Sequence, residues 1–125
     1  MRFLLTGANG QLATDIRRVL PTDEVVPVTH EQLDICDGPA VEKLVEQVRP
    51  DCIINTAAFN RVDDCEDQPD RALAVNALGV YHLARAADQA NAALVHFSTD
   101  YVFDGAKQTP YLETDPPRHT HKETL

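Results

Sequence analysis

Gly7, Gly10 and Ala13 stand in G-x-x-G-x-x-A spacing directly behind the apolar run Phe3-Leu4-Leu5. Glycine lets a main chain lie close against a ligand, and the free N–H groups opening the next helix carry partial positive charge. That pairing suits a diphosphate, above all the pyrophosphate of a dinucleotide. The commoner spacing is G-x-G-x-x-G, and a plain tight turn between strand and helix uses the same residues. In dinucleotide-binding folds an acid near the end of the second strand takes the adenosine ribose. Here that strand ends Pro27-Val28-Thr29-His30, with no carboxylate in place. These residues select neither NAD nor NADP.

Other chemistry-bearing residues are less organised. Cys36, Cys52 and Cys65 are an odd set without CxxC spacing, which predicts a reduced, cytoplasmic chain rather than a disulfide scaffold. Of the five histidines only His119 and His121 approach ligand spacing, and they sit in a polar tail, so no metal is expected. Asp63, Asp64 and Glu66 read as a solvated acidic loop.

The elements that must position the glycine loop follow from hydropathy. Strands are expected at Phe3 to Thr6, Glu24 to Val28, Asp51 to Asn55 and Ala93 to Phe97. Helices are expected from Gln11 to Leu20, stopped by Pro21, and from Gly38 to Val48, ended by Pro50. One long helix is expected from Asp70 to Ala90, with Leu73, Ala77, Val80, Ala84 and Ala87 along its apolar face. Alternating strands and helices predict an α/β fold with right-handed crossovers: a Rossmann-type, doubly wound parallel sheet with strand order 3-2-1-4. Beyond Gly105 the pattern gives way to turn residues.

A formal net charge of −9 argues against nonspecific binding to nucleic acid or an anionic membrane, both of which need basic surface, so neither partner is expected. No apolar stretch reaches membrane-spanning length, and Phe3-Leu4-Leu5 is too short for a signal-peptide core.

Four segments together carry a family resemblance: Thr6-Gly7-Ala8-Asn9-Gly10-Gln11-Leu12, Leu33-Asp34-Ile35-Cys36-Asp37, Asn55-Thr56-Ala57-Ala58-Phe59, and Ser98 to Gly105 (STDYVFDG). They closely resemble dTDP-4-dehydrorhamnose reductases, which are extended short-chain dehydrogenase/reductases of nucleotide-sugar metabolism. Pro110-Tyr111-Leu112-Glu113 extends the likeness. The resemblance covers roughly residues 1–117 and implies the N-terminal half of an NAD(P)-binding Rossmann domain, incomplete at its C-terminal side. Residues 118–125 form a polar tail that departs from the family pattern.

The resemblance implies NADPH or NADH as cofactor and reduction of the 4-keto group of dTDP-4-dehydro-L-rhamnose to dTDP-L-rhamnose. It places Gly7, Gly10, Gln11 and Leu12 on the cofactor, the last three through their backbone at the pyrophosphate. Asp34 and Ile35 would hold the adenine, and Ala57, Ala58 and Phe59 the nicotinamide-ribose region. Thr99 would polarise the substrate carbonyl, with Asp100 beside it facing the sugar. Residue by residue the bland alternatives stand: Ala57 and Ala58 also suit strand-end packing, and Asp34 suits a turn before the next helix. A non-catalytic subunit like the beta subunit of methionine adenosyltransferase shares this fold and loop, as does another keto-sugar reductase or epimerase.

Family chemistry needs a tyrosine followed four residues later by a lysine, so that the ammonium lowers the phenol's pKa. Four residues after Tyr81 stands Arg85, after Tyr101 Gly105, and after Tyr111 Asp115. In ungapped register Glu123 takes the tyrosine's place. A truncated or frame-shifted, inactive form is the expectation. The fourth strand would then be an uncovered edge, which predicts self-association through it, exchange of elements between copies, or marginal stability.

Overall fold

The computed structural model describes residues 1–20 and 24–118. Its strands are β1 (Arg2–Thr6), β2 (Glu24–Val28), β3 (Cys52–Asn55) and β4 (Ala93–His96). Helices α1 (Gln11–Val19) and α2 (Gly38–Val48) alternate with the first three strands. Between β3 and β4 run α3 (Val62–Asp67), α4 (Pro69–Leu73), a π-helical segment (Ala74–Gly79) and α5 (Val80–Gln89). A 3-10 turn at Asp100–Val102 follows β4.

All four strands are parallel, in a Rossmann-like arrangement with the order β2-β1-β3-β4. The expected order 3-2-1-4 is corrected: the third strand pairs with β1, in the register Leu4↔Ile53 and Leu5↔Ile54, instead of lying beyond β2. Composition explains the placement. Pro27 has no N–H to give a second neighbour, so β2 belongs at an edge, where among the described residues it pairs only with β1. Cys52-Ile53-Ile54-Asn55 is buried at every position and takes the centre.

Period-two alternation divides the core. Leu4 and Ile53 point to the face covered by α2 and α5, where they meet Val41, Val45 and Leu83. Leu5 and Ile54 point to the other face, against Ala13 and Ile16 of α1. β4 is the opposite edge, and Val95 and Phe97 are 43% and 47% exposed there. The three cysteines are all free thiols.

The segment expected as one helix from Asp70 to Ala90 is instead broken into α4, the π segment and α5. Leu73 is 60% exposed, and Leu83, Ala86 and Ala87 make the buried face. The π segment lets Gly79 press on Ile35: a Cβ at position 79 would stand 2.6 Å from Ile35 Cγ1. Asp63 and Asp64 lie in the first turn of α3, not in a loop, where acids complement the helix dipole. Pro21, His119, His121 and Glu123 fall outside the described residues.

The two long crossover helices start differently. Asp37 caps α2, its Oδ1 accepting from Ala40 N at 3.1 Å, and Pro39 sits in the first turn. Replacing Asp37 by alanine is expected to cost about 1 kcal/mol in urea unfolding, the usual worth of a side-chain cap. An unchanged midpoint would show that the cap contributes nothing. No side chain caps α1, and its first turn holds no acid.

Candidate functional site

That uncapped end of α1 faces the carboxyl ends of the strands, the side on which open α/β sheets bind ligands. Gly10 is the N-cap, with its own N–H donating to Gly7 O at 2.9 Å. Thr14 N is the first helical donor, bonding to Gly10 O, which leaves the Gln11 and Leu12 amides without an acceptor among the described residues. The fold thus presents main-chain donors and positive partial charge where an anion can sit.

Gly7 has a second reason to be glycine. Its φ is +71°, and a Cβ would stand 2.7 Å from Ala57 N and 2.8 Å from the Thr56 carbonyl carbon. The glycine loop therefore packs directly on the exit of β3. Gly10, at φ −73°, meets only Gly7 O, at 3.2 Å.

Two clefts flank this junction. The smaller, about 360 Å³, is lined by Gly7, Gly10, Asp34 and Ile35, and by Ala57 to Phe59. The larger, about 920 Å³, shares Gly10 and Ala57 to Phe59 and adds Gln11, Leu12 and Thr99. Every residue the sequence singled out for the site except Asp100 lines one or both. Another depression of about 760 Å³ lies between the C-terminal turns of α2 and α5, near Arg49 and Asn91, away from the strand ends.

Local bonds define what each side chain can offer. Asp34 Oδ1 accepts from Cys36 N at 2.9 Å, so this carboxylate shapes its own turn. That hydrogen bond is the main reason the Asp34 carboxyl lies below the usual range, with smaller help from the His30 and Arg71 charges. Ile35 is only 4% exposed and belongs to the core under α5, so little of it reaches the cleft. Thr99 caps the 3-10 turn: its Oγ1 accepts from Tyr101 N and donates to Asp100 Oδ1, each at 3.3 Å. Its proton is directed at Asp100.

Sequence reasoning missed the parts that brace the clefts. Asn76, in the π segment, grips the loop after β3 by both its groups: Phe59 N donates to Oδ1 at 2.9 Å, and Nδ2 donates to Phe59 O at 2.7 Å. Arg71 places its guanidinium carbon 5.2 Å from the Phe59 ring centroid and, with His30, Glu31 and Val75, completes the smaller cleft. Beneath the larger cleft, Asn55 joins three strand ends. Thr6 Oγ1 donates to Asn55 Oδ1 at 2.6 Å and Ala57 N at 3.1 Å, while Asn55 Nδ2 meets His96 Nδ1 at 3.1 Å. Two donors fix which end of the amide is oxygen, so the His96 Nδ1 must accept and its proton resides on Nε2.

The sequence pattern described as RmlD substrate binding domain matches residues 1–120. The chain belongs to that family. Among RmlD relatives, the dTDP-4-dehydrorhamnose reductase of Burkholderia thailandensis is 41% identical over 117 residues, which are 93% of this chain and 39% of that protein. The crystal structure of a dTDP-4-dehydrorhamnose reductase from Clostridium acetobutylicum superposes with a TM-score of 0.89 at 43% identity, over 95% of this chain and 43% of that one. A Bacillus anthracis dTDP-4-dehydrorhamnose reductase, solved in complex with NADP, gives a TM-score of 0.86 at 37% identity, over 93% and 42%. The chain thus spans about two fifths of the length of the curated relatives it matches. No helix among the described residues is long and apolar enough to cross a membrane.

Proposed function

We propose that residues 1–117 are the NAD(P)-binding part of a nucleotide-sugar reductase, whose whole-protein activity is reduction of dTDP-4-dehydro-L-rhamnose to dTDP-L-rhamnose. The uncapped amides of Gln11 and Leu12, on the wall of the larger cleft and next to Gly10, which lines both clefts, carry this reading. A dinucleotide fits the chemistry of these donors: main-chain N–H groups for the pyrophosphate, and a cleft on either side for its two nucleosides. Gly10, Gln11 and Leu12 bind the pyrophosphate, Asp34 and Ile35 border the adenine, and Ala57 to Phe59 line the nicotinamide-ribose region. When bound, the nicotinamide supplies the hydride.

The chain's own groups orient the reactants. Thr99 stands on the wall of the larger cleft, and to polarise a sugar carbonyl its hydroxyl must turn away from Asp100. No tyrosine in these 125 residues has a lysine four residues on, so they supply no Tyr-Lys pair to deliver the proton. Calorimetric titration of the 125-residue chain with NADPH and with NADH is expected to show saturable binding of at least one. The same material given keto sugar and NADPH is expected to show no turnover. Absence of binding to both nucleotides would remove the reading, and measurable turnover would remove the inactivity.

A further inference from the structure

We propose that Arg71 is the cation that recognises a phosphate group of an adenine dinucleotide in the smaller cleft, with its guanidinium braced by Phe59. The inference rests on the dinucleotide reading above and adds to it a charged recognition residue outside the glycine loop. Three observations carry it.

First, Arg71 is the only lysine or arginine among the described residues lining either cleft. Second, it makes no salt bridge among the described residues; its side chain instead lies over the Phe59 ring at 5.2 Å. An arginine held on an aromatic face keeps its edge N–H donors free, in the planar fork that suits phosphate oxygens. Phe59 is a firm support, because Asn76 bonds both its N–H and its carbonyl. Third, the surroundings demand a positive group. The chain carries a net charge of −9, and Glu31 and Asp34 line the same cleft. Asp34 is engaged locally with Cys36 N, yet both carboxylates still face anything that enters. Without Arg71 no lysine or arginine among the described residues of the cleft would offset the two carboxylates. With it the approach becomes attractive, and the ligand gains a charge-assisted bond.

The phosphate has two possible sources in such a ligand, the pyrophosphate bridge and the 2′-phosphate of NADPH. Titrations of the full chain with NADH and NADPH at low and moderate salt separate them. Arg71→Leu is expected to weaken binding by about tenfold or more, with the deficit shrinking as salt rises. Loss confined to NADPH assigns the 2′-phosphate; equal loss for both nucleotides assigns the pyrophosphate. Arg71→Gln keeps a planar group on Phe59 without the charge and should behave like the leucine variant, whereas Arg71→Lys should recover part of the affinity. Leucine and glutamine variants that bind both nucleotides as tightly as wild type overturn the proposal. So does a deficit indifferent to salt, or one that Arg71→Gln restores, since either marks packing or stacking rather than charge. Wild-type chain that binds neither nucleotide removes the dinucleotide reading itself, and this inference with it.

Discussion

Gly7→Ala is expected to lower unfolding stability by about 3 kcal/mol or more, enough to remove a large share of what holds a domain of this size together. Two costs add. A left-handed backbone costs an L-residue about 1–2 kcal/mol, and Gly7 has φ +71°. The new methyl would also lie 2.7 Å from Ala57 N and 2.9 Å from Ala57 Cα, and these are backbone atoms at the end of a central strand. They cannot swing aside as a flexible side chain would. Relief requires parting β1 from the exit of β3, where Thr56 Oγ1 bonds to Thr6 O at 2.7 Å. The control is Gly10→Ala, whose Cβ would meet one oxygen at 3.2 Å in an ordinary conformation. It should be far milder in stability. Urea unfolding of the two variants side by side measures the contrast, and equal midpoints would show that the glycine loop is not packed as described.

Asn55→Ala is expected to cost about 3 kcal/mol, because one unsatisfied buried polar group alone costs about 1–3 kcal/mol. Thr6 and Asn55 are both 1% exposed, so water does not readily replace the lost amide. The Thr6 hydroxyl and the Ala57 N–H would lose their shared acceptor, and His96 Nδ1 its donor. Thr6→Val should cost less, since it removes one hydroxyl and leaves the other two bonds to Asn55 intact. In the double variant the two losses should fall short of additive, because they share one bond. The readout is the urea midpoint, with hydrogen exchange at the Ala57 amide as a local probe. A loss below about 1 kcal/mol, or an Ala57 amide that exchanges no faster, would contradict the network.

Much of this architecture was legible in residue patterns. The strands fall within a residue of their expected bounds, since unbroken apolar runs between helices admit few other readings. The order of those strands was misread although Pro27 carried the information: a residue without an N–H belongs on an edge. The break in the long helix was hidden because Gly79 and Asn76 are compatible with helical periodicity; only their partners, Ile35 and Phe59, give them another purpose. Arg71 was missed for the same reason. It lies far along the chain from both the glycine loop and Asp34, and no spacing rule joins them before the crossover folds α4 over the loop after β3. The glycine loop itself was legible as the tight turn between β1 and α1, whereas the steric demand at Gly7 needed the neighbouring strand in view.

The parallel sheet sets the tempo of assembly. Arg2 faces Glu24 and Phe3 faces Cys52, so no strand finds its neighbour through a tight hairpin. Each pairing must wait for an intervening helix to collapse onto the growing layer, and loop-closure entropy is lost before any ladder rewards it. β1 acts as the organiser, since both the strand before it in the sheet and the one after it are recruited from downstream. With only β1 and β2 paired the chain therefore holds one incomplete ribbon, and commitment to the native layer comes with the docking of Ile53 and Ile54.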